Sequence, residues 1–143
     1  MSYLLDTNVI SETVRRSPDK AVIAWLKGIP GEALYVSVLT LGEVRKGIEG
    51  LKDHQRREKL RVWLEHDLPD WFEDRVLTID MPVADRWGRL LASAGRPLPT
   101  IDSLLAATAL HYELRLVTRN TKDFEFPGLE VINPWETVVR GGA

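Results

Sequence analysis

The 143-residue sequence contains no cysteine, which removes disulfides and thiolate metal sites together. Histidine is nearly as scarce. His54, His66 and His111 stand far apart with neither HExxH nor H-x-H spacing, which disfavours a zinc centre or a histidine base. No apolar run approaches the roughly 20 residues that cross a bilayer. The N-terminus also lacks a basic stretch followed by a long apolar one, so a secretory signal is not expected. These absences predict a protein with no membrane segment, at home in a reducing cytoplasm. Charge of one sign is not in excess either: the net charge is −2, so nucleic acid is not coated nonspecifically and any contact with it must be local.

What is present is ordinary for one globular domain spanning 1–143. Hydrophobic residues make up 44% and charged residues 28%, close to typical soluble chains. Short apolar runs alternate with longer segments of helical period, a pattern that favours a parallel sheet with helices on its faces. Tyr3–Leu5 reads as a first strand. Ser17-Pro18-Asp19 reads as an N-cap, a proline and a first-turn acid opening a helix through Ala21, Ile23, Trp25 and Leu26, which ends at Gly28–Gly31. Leu34–Val38 reads as a second strand, and Leu41, Val44, Ile48 and Leu51 then step at helical spacing. A charged helix from about Asp53 to His66 carries a narrow stripe of Leu60, Trp63 and Leu64. Arg75–Ile79 is a third strand, Pro82–Ala94 a helix ended by Gly95, and Ile101 to about Leu114 a helix delivered by the loop Arg96-Pro97-Leu98-Pro99. Leu116–Thr118 and Leu129–Ile132 complete the series as strands four and five.

In open sheets of this kind the binding crevice lies beyond the carboxyl ends of the strands. Asp6 follows strand one, Glu43 sits in the first turn after strand two, and Asp123 lies a few residues past strand four. Asp102 opens the helix before strand four and reaches the crevice only if that helix start is turned toward it. Each acid also has a local reading. Thr40-Leu41-Gly42-Glu43 matches a capping box, Asp102 suits a first helical turn, and Asn120-Thr121-Lys122-Asp123 suits a turn or cap. Asp6 has no such local task, and a carboxylate beside an apolar strand is costly to bury unpaired.

The four segments LLDTNVISE, VSVLTLGEV, PTIDSLLAATAL and LVTRNTKDF, with the late Trp135-Glu136-Thr137, occur in one order and together resemble the PIN-domain ribonucleases, especially the VapC- and FitB-type toxins of bacterial toxin–antitoxin pairs. The resemblance implies a three-layer α/β/α sandwich around a central parallel sheet, and an acidic pocket that holds Mg²⁺ or Mn²⁺ to cut RNA. Asp6, Glu43, Asp102 and Asp123 occupy the four acidic positions of the family pattern, as metal ligands and catalytic groups. Asn120 stands where some relatives carry an acid. Carboxylates gathered in one pocket repel unless a cation balances them, and Mg²⁺ takes oxygen ligands while keeping waters that can attack phosphorus. Thr7, Asn8, Thr118 and Asn120 would orient carboxylates or touch phosphate, although turn and cap roles fit them nearly as well. Arg15, Arg16, Arg45 and Lys46 are RNA-contact candidates because they lie close in sequence to Asp6 and Glu43. Arg56, Arg57, Lys59 and Arg61 read instead as a solvated helix face.

The resemblance further implies a cognate antitoxin whose C-terminal segment lies in an apolar groove near Val22–Leu26 and Leu41–Leu51, lined by some of Trp25, Trp63 and Trp71, and a homodimer. Two other readings stay open. A phosphatase of the haloacid dehalogenase type would phosphorylate Asp6, but its second acid falls at Asn8. A catalytically inactive PIN-like binding module would keep the fold and lose the metal, which sits poorly with retention of all four acids.

Overall fold

The structure is a computed structural model that describes residues 1–136, so Thr137 of the Trp-Glu-Thr segment lies outside the described residues. Strand β1 (Tyr3–Leu5) runs into Asp6, whose Oδ1 accepts the Thr7 N–H at 2.7 Å and caps helix α1 (Thr7–Glu12). Asp6 therefore has a local task, contrary to the expectation from its apolar neighbours. Glu12, 3% exposed, accepts the Asp19 N–H at 2.8 Å and pairs with Arg15. That bond sets the start of α2 (Lys20–Lys27), whose N-cap is Asp19 and not Ser17: the Asp19 carboxylate takes the Ala21 and Val22 N–H groups.

Strand β2 (Leu34–Ser37) is one residue shorter than expected because Ser37 caps α3 (Val38–Glu49) by accepting the Leu39 N–H at 3.0 Å. The helix thus begins at Val38, the capping box at Thr40 does not form, and Glu43 stands in the second turn. Helix α4 (His54–Val62) continues through a π-helical turn at Trp63–Asp67 into α5 (Leu68–Phe72), six residues beyond the expected end. Leu60, Leu64, Leu68 and Phe72 recur every four residues, a step that overshoots an α-helical turn by ~40°. The wider turn absorbs the overshoot, and Leu64, Leu68 and Phe72 are all buried.

Strand β3 (Val76–Leu77) precedes α6 (Met81–Ala94), which Gly95 ends at φ 69, a conformation that favours glycine. Helix α7 (Thr100–His111), strand β4 (Arg115–Val117), a 3₁₀ turn at Thr121–Phe124 and strand β5 (Val131–Ile132) follow. The five strands are all parallel in the order β3-β2-β1-β4-β5. Alternation along the strands divides the core between the two faces. Leu5, Val36 and Val117 pack with Val9, Ile10, Val22, Val44, Ile48 and Phe72, while Leu4 and Leu116 pack with Leu90, Leu105, Ala109 and Phe124. The result is the expected α/β/α sandwich. Among the described residues no helix is long and apolar enough to cross a membrane.

Candidate active site

The chain order reverses between β1 and β4, neighbours in the sheet, and a crevice opens at such a switch point. Asp6 leaves one strand there and Thr118 the other. The Thr118 hydroxyl, fully buried, donates to Asp6 Oδ2 at 2.8 Å, and Asn8 Nδ2 approaches the same oxygen at 3.4 Å and Thr118 Oγ1 at 3.3 Å. Asn8 Oδ1 accepts the Arg119 N–H, and Thr118 Oγ1 accepts the Asn120 N–H. Both Asp6 oxygens are thus held, at 8% exposure.

Glu43 reaches the site from α3. The Thr7 hydroxyl donates to its Oε1 at 2.5 Å, so adjacent residues, Asp6 and Thr7, tie this corner together. Asp102 lies in the first turn of α7, and Asp123 lies on the 3₁₀ turn after β4, its N–H donating to Asn120 O at 3.0 Å. Asp6 and Asp102 each lie in the field of other acids of this set. Partial burial pushes the Asp102 carboxyl above the usual carboxylate range, and the charges of Asp6, Asp123 and Glu43 push it further. Asp6 is also raised, first by burial, then by Glu43 and Asp123, against the lowering effect of the Thr118 and Thr7 hydrogen bonds. Among the described residues, no three His, Cys, Asp or Glu side chains form a ready-made cage for an ion.

The other predicted residues divide. Asn120 contributes backbone atoms, as acceptor for Asp123 and donor to Thr118. Arg15 pairs with Glu12, Arg16 stands 3.9 Å from Asp53, and Arg45 is held by Glu65 at 2.7 Å and by Glu49. Lys46 is exposed and enters no ion pair among the described residues. The basic face of α4 is more than solvated: Arg56 donates to Val14 O at 2.6 Å, Arg57 to Leu51 O, and Arg61 pairs with Glu58 and Glu65. An apolar groove begins at Glu43, but Val14, Val44, Ile48, Leu60 and Trp63 of α1, α3, α4 and the flanking segments line it, and α2 does not. Trp25 packs edge-on against Tyr3, and Trp71 lies tilted on Phe72.

Two features had no signal in the sequence pattern. Arg119 lies over the Trp135 ring, 5.0 Å from its centroid. Thr40, one turn before Glu43 in α3, is 1% exposed and its hydroxyl has no hydrogen-bond partner. A buried hydroxyl without a partner costs about 1–3 kcal/mol relative to an apolar group of the same shape. Thr40→Val is therefore expected to raise the midpoint of urea unfolding, by about 1 kcal/mol in stability. A lowered midpoint would show that the hydroxyl does useful hydrogen bonding.

Comparison with known proteins agrees with this geometry. The PIN domain family model matches residues 3–127. The chain is 43% identical over 136 residues to the plasmid stability protein StbB of Pseudomonas syringae pv. tomato, spanning 93% of this chain and 98% of that protein. It is 38% identical to the VapC ribonuclease Y4jK of Sinorhizobium fredii (93% and 97% covered) and 36% identical to the toxin FitB of Neisseria gonorrhoeae (92% and 97% covered). The crystal structure of FitAcB from Neisseria gonorrhoeae superimposes with a TM-score of 0.86 at 35% identity, covering 94% of this chain and 99% of that one. A parallel sheet with acids gathered at its switch point, matched by the family model over most of the length, places this chain in the PIN domain family.

Proposed function

We propose that this protein is a Mg²⁺- or Mn²⁺-dependent endoribonuclease that acts as the toxin of a type II toxin–antitoxin module. The carrying observation is that Asp6, at the end of β1, is held by Thr118 at the end of β4 and by Thr7, whose hydroxyl also holds Glu43 of α3, with Asp102 in the field of Asp6, Asp123 and Glu43. Such mutual repulsion is unfavourable in the free protein and is relieved by a cation. The donor set fits a hard cation: it is all oxygen, and the partly exposed Asp102 and the exposed Glu43 and Asp123 leave room for water and phosphate beside the buried Asp6. Mg²⁺ is commonly held by one or two carboxylates together with waters and substrate phosphates.

A bound ion supplies positive charge to the phosphate and acidifies an attacking water. The chain's own groups set the geometry. Thr118 and the Thr7 N–H fix the two oxygens of Asp6, the Thr7 hydroxyl turns Glu43 toward the same point, and Asn8 couples Asp6 to the strand end at Arg119. The phosphatase reading is disfavoured because a nucleophilic Asp6 would have to attack with both oxygens already engaged and little exposure.

Purified protein is expected to cut single-stranded or loop RNA with Mg²⁺ or Mn²⁺ present and to leave a 5′-phosphate and a 3′-hydroxyl, the ends that form when water attacks phosphorus and the P–O3′ bond breaks. End-mapping of the products with and without EDTA tests this, and full activity in excess EDTA would sink the metal mechanism. The proposed antitoxin docks in the groove that begins at Glu43, where a helix or extended segment can cover Val14, Ile48, Leu60 and Trp63. Homodimer formation belongs to the same proposal.

A further inference from the structure

Arg119 leaves the end of β4 directly beside the acids. Its N–H donates to Asn8 Oδ1 at 3.2 Å, and Asn8 Nδ2 in turn approaches Asp6 Oδ2. Its side chain is exposed and enters no ion pair among the described residues. It lies instead over the Trp135 ring, 5.0 Å from the centroid. Trp135 is well held. It packs against the core cluster that contains Leu5, Val9 and Val117, and its backbone N–H donates to Asn133 Oδ1 at 2.9 Å.

An arginine braced on an aromatic ring has lost much of its rotamer freedom before any ligand arrives, so binding through it costs less ordering. The guanidinium carbon lies over the indole and the side chain is exposed, which leaves the group open to a partner that offers both a flat π surface and an anion. A nucleotide of single-stranded RNA offers both, since unpaired bases stack on guanidinium planes and Arg grips phosphate with paired N–H groups. We propose that Arg119, braced by Trp135, is a nucleotide subsite beside the scissile phosphate, taking an unpaired base against its plane and the adjoining phosphate on its edge. This rests on the ribonuclease reading. An acidic protein segment would satisfy the charge but leave the plane unused, so RNA is the better fit.

The test is binding of a fluorescently labelled single-stranded RNA to full-length protein carrying Asp102→Asn, which prevents cutting, in Mg²⁺ across a salt series. Adding Arg119→Ala is expected to weaken binding about tenfold, the size of one stacked base, and to reduce the salt slope by about one. Arg119→Lys should restore the slope but not the affinity, because lysine keeps the charge and lacks the plane. A duplex of the same sequence should show only the charge effect. If the Asp102→Asn protein binds RNA and Arg119→Ala binds it equally well, the subsite is overturned while the ribonuclease reading stands. If the Asp102→Asn protein binds no RNA and the unmutated protein cuts none, both fall. Equal dependence on Arg119 for a hexaglutamate probe would assign the site to an acidic partner and overturn the nucleotide proposal.

Discussion

Asp6→Asn, Glu43→Gln and Asp102→Asn are each expected to lower RNA cleavage by more than about 10²-fold, because loss even of groups that merely orient metal ligands costs about 10–100-fold. The reasoning differs by residue. Asp6 is buried and hydrogen-bonded at both oxygens, so the amide keeps the shape of the corner and one acceptor, while it removes the charge and puts a donor where the second oxygen accepts a hydrogen bond. Asp102 is placed by the first turn of α7 and loses a carboxylate that sits in the field of three others. Glu43 is the sharpest case, since its bond to the Thr7 hydroxyl also ties α3 to α1. A Glu43→Gln protein that cuts RNA normally but unfolds earlier would show that this tie is its whole role. Asp123, exposed on a single 3₁₀ turn, should lose less, about tenfold. Glu49→Gln is the control: Glu49 is exposed and its pair with Arg45 is a surface one, worth at most about 1 kcal/mol. Single-turnover cleavage by the purified variants, with growth inhibition on induction in cells, measures all of these.

Metal-free Asp6→Asn is expected to melt at or above the temperature of the metal-free parent at neutral pH, and Mg²⁺ is expected to reverse that order. Both Asp6 and Asp102 have carboxyls raised above their usual values in the folded state. A raised carboxylate contributes stability below its unfolded pKa, and that stability is lost as the pH rises through the folded value. At neutral pH the free parent therefore carries the cost of two ionised groups that folding would rather keep protonated. The variant is relieved of one, and its amide oxygen can still cap α1. Its advantage should shrink as the pH falls into the ordinary carboxylate range, where the parent's own Asp6 takes up a proton. Glu65, lowered by Arg45 and Arg61, has the opposite sign but is the same in both proteins. With Mg²⁺ at 100 times its Kd, mass action adds about 2.7 kcal/mol to the parent, or on the order of 10 °C in Tm. The variant should gain much less. Melts of both proteins in EDTA and in millimolar Mg²⁺ decide the matter: an Asp6→Asn protein that is clearly weaker in EDTA and gains as much as the parent from Mg²⁺ makes Asp6 a structural acid.

The strands were legible because each is a short apolar run between polar segments, and the acids at Asp6 and Glu43 could be placed near the crevice from topology alone. Helix α1 was not legible. It is six residues long with its buried side chains at Val9, Ile10 and Glu12, too few to show a helical period. The start of α3 was misread because Ser37 and Thr40 are both acceptable caps, and only the end of β2 chooses between them. The cap of α2 moved to Asp19 because Glu12, seven residues earlier, bonds its N–H, a contact no local pattern reveals. The meeting of Asp6 with Thr118, and of Asp102 with the rest, depends on strand order, which is a property of the folded sheet. The pairing of the basic residues was not legible for a related reason: proximity in sequence to an acid says nothing of which carboxylate an arginine will pair with, and Arg45 pairs with Glu65.

Among the described residues, strands β3 and β5 bound the sheet, and each is two residues long. An exposed strand edge invites pairing with another chain, and very short outer strands are one of the ways proteins blunt that hazard. Extension of this sheet into a second copy would have only a pair of residues on either side to template it. Self-association through backbone pairing, and the fibrous aggregation that grows from it, are thus disfavoured by the same sheet that holds Asp6 at its centre.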